Sequence, residues 1–249
     1  MPTRAIIKQI QQLKLKKHRD AQGLFCAEGV KSVEEGMRSG LKLAHCFVSD
    51  HSLARRFDET YLSTSELVSD AEMKKLTHFS TPSSVLAVFH KPLAQPLPND
   101  QWIIALDGIQ DPGNLGTLMR TLEWFGFKHL LCSPSTVDCF NEKVVQASMG
   151  SYARMNCVYE DLPKAIESLG LPAIGADLNG KPLEQFEFDS SGILVLGNEG
   201  HGISSQVTSL LSERVTISKA LGSSVESLNA AVSGAVIAYT ISSRLGFLR

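Results

Sequence analysis

The chain has 249 residues, a formal charge of −2, 43% apolar and 20% charged residues, which suits a folded protein of two domains and excludes a disordered one. No apolar run is long enough to cross a bilayer, and the N-terminus MPTRAIIKQIQQLKLKKHR lacks an uninterrupted apolar stretch with a cleavage site, so the chain reads as intracellular and cytoplasmic with no membrane partner. The five scattered cysteines form no C-x-x-C pair and the seven histidines show no ligand spacing, so the cysteines read as reduced, buried hydrophobes and no metal is expected.

The small net charge hides an asymmetry. Residues 1–91 hold 14 Lys and Arg against 10 Asp and Glu, a net of +4, while residues 92–249 hold 10 against 16, a net of −6. The densest basic stretch, Lys14, Lys16, Lys17, His18 and Arg19, lies on a segment that reads as a helix. On charge alone it fits a phosphate contact or a solvated helix face equally well. Next come FCAEG, the helical VKSVEEGMRSG closed by Gly40, the strand-like AHCFVS, the helix-like SELVSDAEMKKL and the strand-like SVLAVFH. The segment KPLAQPLPND (91–100), with Pro92, Pro96 and Pro98, forms an extended connector. The expected division is therefore a domain over 1–91, a linker over 92–100 and a domain over 101–249.

After the linker, strands WIIALD, HLLCS, MNCVY, PAIGAD, GILVLG and RVTIS interleave with helical segments 113–127, 142–152, 161–170, 203–211 and 227–246. Strands alternating with helices predict βαβ units, a mainly parallel sheet and α/β architecture in both halves. Ligands of such sheets bind beyond the carboxyl ends of the strands, so the loops after WIIALD, GILVLG and RVTIS are where chemistry is sought.

In the first loop Pro112-Gly113 makes a turn, Asn114 reads as the cap of the next helix, and Arg120 sits beside Leu118, Leu122 and Phe125, where a cation needs an anion partner. The second, LVLGNEGHGIS, places Gly197, Gly200 and Gly202 around Glu199, as close backbone approach to a ligand or positive φ requires. It is neither a G-x-G-x-x-G dinucleotide fingerprint nor a phosphate loop, and His201 within it reads as an exposed turn residue. In the third, Ser227, Leu228 and Asn229 open a helix rich in small residues, which allows close packing and offers free N–H groups at its start. Singly, each loop also fits a structural cap or turn.

Together the loops resemble the three motifs of the SpoU/TrmH family of the SPOUT superfamily. The first, D-P-x-N-x-G-x-x-x-R, is matched by Asp111-Pro112-Gly113-Asn114-Leu115-Gly116 with Arg120; the second, L-x-L-G-x-E-x-x-G, by Leu194 to Gly202; the third by Ser227-Leu228-Asn229. Leu13, Lys17, Arg19, Phe25 and Glu28-Gly29 resemble, more loosely, the family's L30e-like substrate-binding domain. One departure is Ile217-Ser218-Lys219 followed by ALGSSVE, a longer loop than the family's I-P-M or I-P-K pattern, which leaves its cofactor contacts open.

The resemblance implies an α/β fold in which a smaller L30e-like α/β domain precedes a C-terminal SPOUT domain with a trefoil knot and a mainly parallel sheet. It implies a homodimer that uses S-adenosylmethionine to methylate a ribose 2′-hydroxyl in structured RNA, ribosomal RNA favoured over transfer RNA, with no role for DNA. By position, Leu196, Gly197, Glu199, Gly202, Ile217, Leu228 and Asn229 would surround the cofactor, and Asn114, Arg120, Glu199, Ser227 and Asn229 would serve catalysis. Lys14, Lys16, Lys17, Arg19 and Arg120 would touch RNA. In family proposals the arginine of the first motif is the base, held by the asparagine. Guanidinium is effectively never deprotonated in proteins, so Arg120 reads more plainly as stabilising developing negative charge and clamping a phosphate, with Glu199 orienting Arg120 or Asn229. The competing readings are a non-catalytic RNA-binding protein and a SPOUT methyltransferase acting on a base.

Overall fold

The structure, a computed structural model, describes residues 2–61 and 65–248. It divides into two compact units, Met1–Leu93 with Asp138–Arg154, and Ala94–Val137 with Met155–Arg249. The break at Leu93 falls in the proline segment. Residues 138–154, expected within the second domain, instead pack with the first.

The first unit contains α1 (Arg4–Gln12), α2 (Lys16–Gln22), β1 (Leu24–Glu28), α3 (Val30–Arg38), β2 (Leu43–Val48), α4 (His51–Tyr61), β3 (Glu66–Leu67), α5 (Asp70–Leu76) and β4 (Val85–His90). Thr3 caps α1, and Ser69 with Glu72 forms a reciprocal capping box on α5. The sheet order is β1-β4-β2-β3. β4 runs antiparallel to both β1 and β2, and only β3 lies parallel to its neighbour. The parallel sheet expected in both halves is thus absent from this one, because β4 returns into the centre of the sheet against the direction of the strands beside it. Its apolar run Val85–Phe89 is fully buried, as a central strand requires.

Of the buried carboxylates in this unit, Glu28 is held without a cation in direct contact among the described residues. Glu28 is buried and accepts hydrogen bonds from the Thr77 hydroxyl (2.6 Å) and the His78 backbone N–H (2.7 Å), while burial pushes its carboxyl above the usual range.

Arg19, expected to touch RNA, is also interior. Its side chain is 3% exposed, its Nε and Nη2 lie 2.8 and 2.7 Å from Asp138 Oδ2, and Nη1 donates to the carbonyls of Leu13 and Lys14. A guanidinium buried in this way and held by these four contacts is out of reach of a phosphate, which corrects the expectation for Arg19. Lys14 and Lys17 are exposed on the same segment, and Lys16 is exposed but paired with Asp20 at 2.8 Å.

The second unit is built on β5 (Trp102–Asp107), α6 (Pro112–Trp124) and β6 (His129–Cys132). The chain then passes through α7 (Glu142–Ala147), which belongs to the first unit, and returns for β7 (Asn156–Tyr159), α8 (Leu162–Leu169), β8 (Ala173–Pro182), β9 (Gly192–Gly197), α9 (Ser205–Thr208), β10 (Glu213–Thr216) and α10 (Ala230–Arg244). The six strands lie in the order β10-β8-β9-β5-β6-β7, every ladder parallel. β5 and β9 are buried from Trp102 to Leu106 and from Gly192 to Leu196, as strands covered on both faces must be. From β5 the chain winds outward on one side through β6 and β7, then crosses to the other, so the strand order reverses at β5, and a crevice opens on that second side beyond the carboxyl ends of β9, β8 and β10.

Two packing features shape that crevice. Between the pairs Arg214↔Gly175 and Val215↔Lys181 the register of β8 and β10 shifts, so residues 176–180 of β8 form a bulge between the two pairs. α10 lies against α6 and β9 through Gly234, where a Cβ would stand 2.6 Å from Leu118 Cδ2 and 2.7 Å from Leu196 Cδ1. Only glycine lets this helix so close.

Candidate active site

A cleft of about 470 Å³ opens at the carboxyl ends of β8, β9 and β10. Its walls are the bulge 176–179 of β8, the end of β9 with the glycine loop 197–203, the end of β10 with Ile217, and Glu226, Ser227, Leu228 and Ala230 at the entry to α10. The volume suits a small organic ligand. Leu196, Ile217, Leu228 and Ile237 provide apolar surface, and the charged groups that line the cleft are Asp177, Glu199 and Glu226, with no Lys or Arg. A flat apolar group together with positive charge is the chemistry such a lining accepts.

The glycine loop is a tight excursion. Asn198 and Gly202 exchange both backbone hydrogen bonds at 2.9 Å, and Gly202 has φ +69°. A Cβ on Gly197 would fall 2.3 Å from Gly202 C, so this glycine is required by the chain's own return rather than by a ligand.

Beside this loop three side chains form a chain of hydrogen bonds. Asn229 Nδ2 donates to Asn114 Oδ1 at 2.9 Å, and Asn114 Nδ2 donates to Glu199 Oε1 at 2.6 Å. The local structure explains each member. Asp111 is the cap of α6, its carboxylate accepting from Asn114 N at 2.7 Å with Pro112 at the first helical position. Asn114 was expected to be that cap; placed instead inside the first turn, its amide is free to face Glu199. Asn229 does cap a helix, its Oδ1 accepting from Ala231 N and Val232 N of α10, which leaves its Nδ2 for Asn114.

Glu199 therefore orients neither Arg120 nor Asn229 directly; it reaches Asn229 through Asn114. Arg120 is exposed on α6 and, among the described residues, has no anionic partner. Ser227 and Leu228 line the cleft, and Ser227 is exposed without a protein hydrogen bond among the described residues. Leu196, Gly197, Glu199, Gly202 and Ile217 line the same cleft, whereas Asn229 stands at its edge, next to Leu228 and Ala230. His201 is exposed in its turn.

Sequence reasoning missed two residues. Asp107 Oδ2 accepts from Ser204 N at 2.7 Å, and Asn198 Nδ2 donates to Gly108 O at 2.7 Å, so both ends of the glycine loop are tied to the end of β5. It also missed the cleft wall at Asp177 and Asn179, since nothing in PAIGADLNGKP marks where the register shifts.

A parallel sheet with a reversal of strand order, a ligand-sized cleft at the carboxyl ends of the strands on one side of it and an amide–carboxylate chain beside the glycine loop define an α/β enzyme that acts on a small bound ligand. Comparison with known proteins makes the class specific. The model of the SpoU rRNA Methylase family matches residues 101–239, and that of an MRM3-like substrate binding domain matches residues 4–87. The chain is 31% identical to the 23S rRNA (guanosine(2553)-2'-O)-methyltransferase RlmP of Bacillus subtilis over 94% of both chains. It superposes on a TrmH-family protein of Porphyromonas gingivalis with a TM-score of 0.88 at 32% identity, covering 98% of this chain and 99% of that one. The SpoU methyltransferase AviRb of Streptomyces viridochromogenes, crystallised with AdoMet, shares the fold with a TM-score of 0.86 at 24% identity over 99% of this chain and 100% of that one. This chain belongs to the SpoU rRNA methylase family.

Proposed function

We propose that the protein transfers a methyl group from S-adenosylmethionine to a ribose 2′-hydroxyl of ribosomal RNA in the cytoplasm, using the cleft and the chain Asn229–Asn114–Glu199. The observation that carries this is the placement of that chain at a cleft whose lining is apolar and acidic. Leu196, Gly197, Ile217 and Leu228 would hold the cofactor, which supplies an electrophilic methyl group on a cationic sulfur. The carboxylates Asp177, Glu199 and Glu226 suit that positive charge.

A ribose hydroxyl is a poor nucleophile near neutral pH, so its developing charge must be stabilised while its proton passes to solvent water. Arg120 does this as a permanent cation and clamps a neighbouring phosphate through its planar fork of donors. Glu199 holds the Asn114 amide by a charge-assisted bond, and Asn114 in turn fixes the free amide of Asn229. Ser227 and Asn229 present donors to the sugar. Residues 1–91 grip RNA, with Lys14, Lys16 and Lys17 as contacts.

The protein also works as a homodimer. α10 leaves Val232, Val236 and Tyr239 exposed, and the preceding segment exposes Leu221, Val225 and Leu228, an apolar surface suited to a second copy.

The test is methyl transfer from labelled AdoMet to ribosomal RNA and, separately, to transfer RNA, followed by digestion and nucleoside mass spectrometry. A 2′-O-methylated nucleoside from ribosomal RNA supports the proposal. A methylated base would move the enzyme to the base-modifying class, and no product from either RNA would leave only RNA binding. Light scattering on the same sample reads the oligomeric state, and a monomer would refute the dimer.

A further inference from the structure

The second motif leaves the position between its glycine and glutamate open, and Asn198 fills it here. Its side chain makes two kinds of bond. Oδ1 accepts from Gly200 N (2.8 Å) and His201 N (3.1 Å), which closes the turn of its own loop. Nδ2 donates to Gly108 O at 2.7 Å, in a different loop, the one that leads into α6 and Asn114. Gly108 is a firm anchor, because its N–H is held by the buried hydroxyls of Ser133 (2.9 Å) and Thr136 (3.2 Å) and Thr136 also donates to Leu106 O. Gly108 has φ +77°, so this conformation is one that glycine adopts without strain.

The two loops therefore meet twice: once backbone to side chain, at Gly108 and Asn198, and once side chain to side chain, at Asn114 and Glu199, with Asn198 and Glu199 adjacent in sequence. Ser204 N on Asp107 ties the far end of the glycine loop to the same strand end. We propose that Asn198 is a positioning residue for methyl transfer, setting the Glu199 carboxylate at hydrogen-bond distance from Asn114 through its bond to Gly108. The proposal rests on the functional reading above.

Aspartate separates the two bonds. Asn198→Asp keeps the oxygen that closes the turn but puts an acceptor against the Gly108 carbonyl, so only the bridge is lost. Asn198→Ser keeps a hydroxyl for the turn and is too short to reach Gly108; it serves if the aspartate variant fails to fold. Three quantities are read on the full chain: kcat at saturating AdoMet and RNA, AdoMet affinity by calorimetry, and the Asn114 side-chain amide signals in ¹⁵N spectra, assigned by their absence in Asn114→Ala.

With the bridge gone, kcat falls about tenfold to a hundredfold, the scale of misplacing a reacting group, and the loss remains at saturating AdoMet. The Asn114 signals move from the position set by the carboxylate toward that of Glu199→Ala. Unchanged Asn114 signals, kcat within about twofold of the parent, or a loss removed entirely by saturating AdoMet would each overturn the proposal. If the parent methylates no RNA, the functional reading fails, and the Asn114 signals in the Asn198 variants still decide whether the bridge positions Glu199.

Discussion

Glu199→Gln isolates the charge in the Asn229–Asn114–Glu199 chain. The glutamine keeps an oxygen that accepts from Asn114 Nδ2, so the 2.6 Å contact survives as a neutral bond. A hydrogen bond to a charged group contributes about 1.5–3 kcal/mol against about 0.5–1.5 kcal/mol for a neutral one, so the substitution removes roughly 1–1.5 kcal/mol. Because Glu199 is exposed, solvent screening places the effect at the lower end. At about 1.36 kcal/mol per factor of ten, kcat falls roughly five- to tenfold. Glu199→Ala also frees the Asn114 amide and costs roughly ten- to thirtyfold, the lower part of the range for full loss of a charge-assisted bond. The assay is labelled methyl transfer at saturating AdoMet and RNA from pH 6 to pH 9. Acting by orientation, Glu199 lowers the rate by one factor at every pH and leaves the profile's shape intact when replaced by Gln. A profile whose acidic limb disappears in Glu199→Gln would identify Glu199 as the proton acceptor and refute the orienting role, and parental rates in both variants would remove Glu199 from the reaction.

Three further outcomes follow from packing and charge. Arg19→Ala leaves the Asp138 carboxylate buried without its cation, which costs about 3–5 kcal/mol in a denaturant titration, while the salt slope of RNA binding stays that of the parent; a flatter slope with full stability would return Arg19 to the RNA surface. Gly234→Val drives side-chain atoms into Leu118 and Leu196 and costs at least about 1–3 kcal/mol by the same titration, whereas parental stability would contradict the close approach of α10. His78 sets a pH dependence: Nε2 lies 2.8 Å from Ile10 O, which only accepts, so Nε2 carries the proton and Nδ1 is buried without a partner, and burial holds the pKa below its usual value. The unfolded chain takes up a proton near pH 6.5 that the folded chain refuses until lower pH, so this contribution to stability is complete above that pH and is lost as pH falls toward the depressed folded value. Melting temperatures from pH 7.5 to pH 5 fall more steeply in the parent than in His78→Gln, and equal slopes would refute this.

Much of the site was legible because the residues that meet in space each lie in a short motif. Asn114, Glu199 and Asn229 are spread over three loops, yet each follows a strand of a parallel sheet, and that topology delivers them to one end. What stayed hidden depends on partners that no local pattern reveals. Arg19 looked like one more cation in a basic run, and its burial depends on Asp138, 119 residues away. Asp111 and Asn114 are both good caps, and only the chain's entry through Pro112 decides between them. The antiparallel first sheet could not be read from alternation of strands and helices, since direction is fixed by where β4 inserts. Asn198 occupies a variable motif position, and its importance lies in the carbonyl it reaches.

Mapping of ribose methylation across ribosomal RNA from cells with the gene, without it, and carrying Arg120→Ala tests the proposed reaction most directly. A single 2′-O-methyl mark present with the parent gene and absent from both other strains is the predicted result. An unchanged map in all three, or a mark that persists with Arg120→Ala, would contradict the reaction or the part Arg120 plays in it.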